Sequence, residues 1–275
     1  MIPTQSNQLL SLLQDMHSVA VAFSGGVDSA VVAKAAQLAL GEKAVAVTAV
    51  SPSLASGDLE EAREIAGLIG IRHVVLSTDE FADPGYIANA GNRCYFCKSE
   101  LYSRLAERLP ELGAQMICNG ANLDDLGDHR PGMQAAAEFQ VRSPLIEAGL
   151  TKEAVRELAR YWNLPIWDKP AAPCLSSRIA YGVEVTPDRV RLIDAAESFL
   201  KQQLDIRELR VRLEANDLAR IEVPVVELGG VLEQRDRIVS EFRRLGFRYV
   251  TLDLEGFRSG SLNASLPVVT LQPLD

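Results

Sequence analysis

At 275 residues and 47% hydrophobic content, the chain can bury one large core and a smaller second one. Its 28 Lys and Arg against 37 Asp and Glu give a formal net charge of -9, which argues against a broad nucleic-acid surface. No apolar run reaches membrane-spanning length, and the start, Met1-Ile2-Pro3-Thr4-Gln5, lacks the basic-then-apolar pattern of a signal peptide. The expectation is a cytoplasmic protein without membrane association, its four cysteines reduced.

Apolar spacing predicts a short leading helix over Leu9–Met16, a strand over Val19–Phe23 and an Ala/Val-rich helix over Asp28–Leu40. Lys43–Val50 reads as a second strand without polar alternation, the pattern of a strand buried on both faces. A helix over Asp58–Leu68, a strand over Arg72–Leu76, a helix over Phe96–Leu109 and a strand over Ala114–Cys118 follow. Thr151 then caps a helix running to Tyr161. Such alternation predicts an α/β fold, a doubly wound and mostly parallel sheet that binds ligands beyond the carboxyl ends of its strands. After Pro187 come a helix over Asp188–Leu204, strands near Glu208–Leu213 and Ala219–Val225, a helix near Leu232–Leu245 and a strand near Arg248–Leu252. These make a smaller C-terminal α+β domain. The boundary falls between Tyr181 and Pro187, dividing the chain into residues 1–183 and 184–275.

Ser24-Gly25-Gly26-Val27-Asp28-Ser29 joins the first strand to the first long helix. A glycine turn with inward N–H groups at a helix N-terminus is an anion cradle, suited to nucleotide phosphates. It lacks the Gly-Lys-Ser/Thr ending of the longer P-loop and does not match G-x-G-x-x-G. Ser24, Gly25, Gly26 and Ser29 are the expected phosphate ligands, and Asp28 is a candidate to bind Mg2+ or orient a phosphate ligand. The plainer reading is an ordinary turn capped by Asp28 or Ser29.

Cys94 and Cys97 form a C-x-x-C within Arg93–Lys98, just before a predicted helix, and Cys174 lies in Ala172-Pro173-Cys174-Leu175-Ser176-Ser177-Arg178. The helix start and the flanking Arg93 and Lys98 favour thiolates. Three thiolates suit an iron–sulfur cluster with one iron left open. They suit structural zinc only if a histidine or Cys118 completes the set, and the pair alone also reads as a metal-free dithiol. Cys118, ending a buried strand, reads as core.

Asn119–Gly132 carries Asp124, Asp125, Asp128, His129 and Arg130 at the ligand edge of the sheet, a candidate metal and substrate site or else a solvated Asx-rich loop. In Leu209–Leu213, alternation puts Arg210 and Arg212 on one strand face, and Arg220 follows on the next strand. Guanidiniums so arranged make a receptor for a small phosphorylated substrate, or a face of cross-strand salt bridges.

With these stretches in view, the chain resembles the LarE family of ATP-dependent sulfur transferases, within the N-type ATP pyrophosphatases or PP-loop enzymes. Carrying the resemblance are Ser24–Ser29, Arg93–Lys98, Asn119–Gly132, Val141–Lys152, Trp167–Gly182, Arg210–Glu222 and Leu252–Asn263, in order along nearly the whole chain. The resemblance implies an ATPase domain and a smaller domain for substrate phosphate binding and oligomerisation, assembled as a homohexamer. It implies ATP, Mg2+ and sulfur insertion into pyridinium-3,5-biscarboxylic acid mononucleotide, toward the nickel-pincer cofactor of lactate racemase. Members with one cysteine, at the place of Cys174, sacrifice its sulfur; members with three hold a [4Fe–4S] cluster carrying an extra sulfide. With Cys94, Cys97 and Cys174 all present, the chain resembles the second type, fed by a sulfide or other sulfur donor. Asp28 and one of Asp124, Asp125 or Asp128 then hold Mg2+, and Arg210, Arg212 and Arg220 the substrate phosphate. Two other readings stand beside it: a tRNA thiolation enzyme, opposed by the acidic charge, and an amide-forming ligase, which leaves the cysteines without a role.

Overall fold

A computed structural model describes residues 2–127, 131–206 and 208–258. Asp128, His129, Arg130 and the end of the Leu252–Asn263 stretch lie outside the described residues. The chain forms two compact units. The first comprises the chain up to Tyr86 together with Asn92–Pro173; the second comprises Ile87–Gly91 and the chain from Cys174 onward.

The first unit is built on β1 (Val19–Ala22), β2 (Ala44–Val50), β3 (Arg72–Ser77) and β4 (Met116–Cys118), all parallel, in the order β3-β2-β1-β4. A parallel bridge between Cys118 and Arg142 extends the sheet past β4. The strand order reverses between β1 and β4, which is where open parallel sheets bind ligands. Helices α1 (Ile2–Asp15), α2 (Val27–Leu40) and α3 (Asp58–Ile69) precede α4 (Pro84–Ala88), α5 (Arg93–Leu112), α6 (Pro131–Glu138), α7 (Pro144–Glu147) and α8 (Lys152–Tyr161). One sheet face, bearing Val19, Val21, Phe23, Ala44 and Ala46, packs with apolar residues of α1, α2, α3 and α8. The other, bearing Ala20, Val45, Val47 and Leu76, packs with Leu101, Tyr102 and Leu105 of α5 and Ala135 and Ala136 of α6. Period-2 alternation thus feeds two cores, and β2 is buried through its first five residues as its unbroken apolar run predicts.

Several elements differ from the sequence reading. Helix α1 starts at Ile2 rather than Leu9, with Pro3 in its first turn where a missing N–H costs nothing. Helix α5 starts at Arg93, so Cys94 and Cys97 lie inside its first turns rather than before it. No side chain caps it; Asn92 serves through its carbonyl, which Tyr95 N meets at 2.9 Å. Helices α6 and α7, of 8 and 4 residues, are too short to show a period.

In the second unit, α9 (Pro187–Leu204) accompanies β5 (Arg210–Glu214), β6 (Leu218–Glu222), α10 (Leu228–Glu233), α11 (Arg235–Leu245) and β7 (Tyr249–Leu252). Strands β5 and β6 are antiparallel, while β6 and β7 are parallel. Thr186 caps α9 through its hydroxyl, and Pro187 follows at the first helical position. The Phe242 and Phe247 rings stack at 5.2 Å where α11 turns toward β7. The short Ile87–Gly91 segment is fastened here by Asn89, which is fully buried at φ +52. Its amide faces the carbonyls of Ile179, Ala180 and Val183 at 3.2, 2.9 and 3.1 Å.

Candidate active site

In the first unit, the turn from β1 to α2 is wound by its own serines. Ser29 Oγ donates to Gly26 O at 3.1 Å, lies 3.1 Å from Ser24 Oγ and accepts from Ser24 N at 3.2 Å. Gly25 holds φ +71, and a Cβ there would sit 3.1 Å from Ala62 Cα on α3. The turn therefore needs glycine for both its backbone conformation and its packing. Gly26 is the N-cap of α2, and no side chain caps the helix. Neither Asp28 nor Ser29 fills that role, so the first-turn N–H groups are left to meet an anion, aided by the helix dipole.

Asp28 faces a loop from β4. Asn122 Nδ2 donates to Asp28 Oδ1 at 3.1 Å, and the Lys152 ammonium pairs with Asp28 Oδ2. The β4 loop approaches so closely that a Cβ on Gly120 would lie 2.8 Å from Ser29 N. Asp125 Oδ2 accepts from Asn122 N at 3.0 Å, and Asp124 Oδ2 from Lys152 N at 3.0 Å. These two carboxylates thus brace the loop and the start of α8. Lys152 and Asn122 are site residues to which the sequence analysis gave no role. Both stand in the stretches that carry the resemblance, and Thr151, capping α8 through its hydroxyl, places Lys152 at the first helical position.

On the other sheet face, Cys94 is exposed and Cys97 half-buried at the start of α5. Cys118 is buried with its Sγ 3.6 Å from Met16 Sδ, and burial pushes its thiol up to about 12. Among the described residues, no three His, Cys, Asp or Glu side chains gather as a metal site. Cys94 and Cys97 belong to the first unit and Cys174 to the second.

In the second unit, Cys174 is exposed at the head of a turn held by two buried arginines. Arg178 Nη1 donates to Cys174 O at 3.2 Å, and Arg212 Nη1 to Ser177 O at 2.9 Å. Each guanidinium is backed by a buried carboxylate. Arg178 Nε meets Glu197 Oε1 at 3.0 Å, and Arg212 Nη2 meets Glu222 Oε2 at 3.0 Å. The register explains the grouping: Arg210 faces Glu222, and Arg212 faces Arg220, on one face of the β5–β6 pair. Arg220 also pairs with Glu214, Glu222 and Asp253 at 2.8, 2.6 and 2.8 Å. The expected arginine face therefore exists, laced with carboxylates. Arg210 lies 5.0 Å from the Phe257 ring, and burial, then the Arg178 charge, then Arg212, push it down to about 10 against the opposing pull of Glu197. An anion beside it would relieve that cost. Glu197 carried one sequence signal, a carboxylate on the apolar stripe Val190, Ile193, Leu200 of α9.

This fold, a parallel sheet with a glycine turn feeding an uncapped helix at its switch point, is that of the PP-loop ATP-using enzymes. A family model described as asparagine synthase matches residues 11–90, which include that turn. The chain is 46% identical over 268 residues to an uncharacterized protein of Synechocystis sp., covering 97% of this chain and 99% of the relative. It is 38% identical over 266 residues to the pyridinium-3,5-bisthiocarboxylic acid mononucleotide synthase of Lactiplantibacillus plantarum, covering 96% of each. An uncharacterized protein of Methanocaldococcus jannaschii matches at 27% over 88% of this chain and 91% of its own length. The chain belongs to the LarE family of PP-loop enzymes. Among the described residues, no helix is long and apolar enough to cross a membrane.

Proposed function

We propose that the chain is an ATP-dependent sulfur transferase acting on pyridinium-3,5-biscarboxylic acid mononucleotide, toward the thiocarboxylate from which the nickel-pincer cofactor is built. The observation that carries this reading is the nearly end-to-end similarity to the Lactiplantibacillus plantarum synthase. The uncapped start of α2 supports its nucleotide half.

In this reading the ATP phosphates lie on Ser24, Gly25, Gly26 and Ser29. Asp28, with a carboxylate among Asp124, Asp125 and Asp128, would hold Mg2+, which when bound would offset phosphate charge, and Lys152, paired with Asp28, supplies a positive charge there. A substrate carboxylate oxygen attacks the α-phosphorus, and the bond to the bridging oxygen breaks. Pyrophosphate leaves with the electron pair, giving an acyl adenylate. The loop N–H groups and Lys152 stabilise the charge that builds on phosphate. A sulfur nucleophile then attacks the acyl carbon and AMP departs, leaving sulfur in place of oxygen. Arg210, Arg212 and Arg220 hold the substrate phosphate.

Cys94, Cys97 and Cys174 would hold the [4Fe–4S] cluster, which when bound supplies the sulfide. A cytoplasmic homohexamer, with an ATPase region 1–183 and a substrate-binding and oligomerising region 184–275, belongs to the same reading. The test is pyrophosphate release with the pyridinium substrate. Asp28→Ala and Gly26→Val should abolish it, and normal release from both would sink the loop assignment. Iron and acid-labile sulfide after anaerobic reconstitution test the sulfur source. About four of each per chain, lost in Cys94→Ala, is the expected result. No iron, together with conversion of Cys174 to dehydroalanine on turnover, would move the source to that cysteine.

A further inference from the structure

We infer that Thr48 and His73 are positioning residues for the phosphate loop, acting through the carbonyl oxygen of Phe23. The inference rests on the nucleotide reading of Ser24–Ser29 and adds the device that aims that loop.

Strand β1 ends at Ala22, and Phe23 is the last residue before the loop. Phe23 N still donates to Val47 O at 2.8 Å, but no backbone N–H reaches the Phe23 carbonyl among the described residues. This carbonyl belongs to a residue only 3% exposed, so water is a poor substitute. Thr48 fills the gap, donating from Oγ1 to Phe23 O at 2.8 Å. The hydroxyl has one proton, and Phe23 takes it. In its 2.8 Å contact with His73 Nε2, Thr48 therefore accepts, and Nε2 carries the hydrogen. The His73 ring also stands edge-on to the Phe23 ring, with centroids 5.8 Å apart and planes at 76°.

A chain of two hydrogen bonds thus runs from β3 across β2 to the point where β1 leaves the ladder. Side chains, rather than the backbone ladder, decide the direction in which Ser24 sets out. That direction matters because Gly25 rests against Ala62 and Ser29 against Gly120, so a small rotation at Phe23 has nowhere to be absorbed. Thr48 is the one polar residue in Ala44–Val50.

The experiment is calorimetric titration of the full chain with ATP and with pyrophosphate, alongside thermal melting. Thr48→Val keeps the shape and removes the donor, and should weaken both ligands about tenfold by leaving a buried carbonyl unmet. Thr48→Ser should restore both. His73→Leu, on a partly exposed side chain, should weaken them less, and His73→Gln should recover part of the loss by presenting an amide donor. A Thr48→Val chain that melts earlier yet binds both ligands like wild type would make Thr48 a stabilising core residue and overturn the inference. So would failure of Thr48→Ser to restore binding in a folded chain. If the wild-type chain binds neither ligand, the nucleotide reading itself falls, and this inference with it.

Discussion

Arg178 donates to the carbonyl oxygen of Cys174 at 3.2 Å while its Nε is held by Glu197 at 3.0 Å, so the conformation of an exposed cysteine is fixed from a buried ion pair. Both partners are nearly inaccessible, at 5% and 3% side-chain exposure. Glu197 also accepts from Val211 N at 3.1 Å, tying the pair to β5. Removing one member of such a pair strands the other charge, at a cost of about 3–5 kcal/mol. Glu197→Ala should therefore lower the urea midpoint markedly. Alkylation of Cys174 should change rate in parallel, read by mass spectrometry of the Cys174 peptide.

Gly120→Ala should damage nucleotide binding without touching a ligand directly. Its new methyl would meet Ser29 N at 2.8 Å and Asp28 C at 3.1 Å, both backbone atoms that cannot swing aside. We expect a stability loss of about 1–3 kcal/mol from overpacking, together with weaker ATP binding in a calorimetric titration.

Lys152→Met should remove the ammonium beside Asp28 while keeping the aliphatic stem. Pyrophosphate release should fall about a hundredfold if that charge is used at the α-phosphorus. Lys152→Arg should not restore it, since a planar fork cannot replace a compact charge at this contact. Steady-state assays of pyrophosphate would decide both.

His73 is held below its ordinary value of 6.5, first by burial and then by the charge of Arg63 on α3. The unfolded chain therefore binds a proton before the folded chain does. The stability this group contributes is complete above pH 6.5 and is lost as the pH falls through the folded value. Urea midpoints measured between pH 5 and 8 should decline less steeply on the acid side in His73→Gln than in wild type.

Thiol labelling should separate the cysteines. Cys118, pushed up to about 12 by burial, should resist iodoacetamide in the folded chain at neutral pH, whereas exposed Cys94 and Cys174 should react. Peptide mass mapping before and after denaturation provides the check.

What was legible in the sequence was local. The apolar run before the paired glycines marks β1 and the turn, the featureless Ala44–Val50 run marks a two-sided buried strand, and Thr151 marks its helix start by a hydroxyl cap. Alternation also put Arg210 and Arg212 on one face correctly, but their carboxylate partners come from register with β6, which no single strand encodes. The Lys152–Asp28 contact joins residues 124 apart in sequence. Helix α5 hid its true start because Asn92 caps it through the backbone alone. These misses share one cause: the deciding partner is distant in sequence or is a main-chain atom, and neither leaves a mark in residue type.

The placement of Ile87–Gly91 has a consequence for how the chain can be divided. This segment belongs with the chain from Cys174 onward, yet the residues on both sides of it belong to the first unit. The polypeptide therefore passes from one unit to the other at three places, and no single cut yields two intact pieces. A fragment ending at Pro173 would lack Ile179, Ala180 and Val183, and the Asn89 amide would be stranded without the carbonyls it faces. The halves are stitched rather than strung, so exchanging one of them between relatives would require transplanting the five-residue stitch as well.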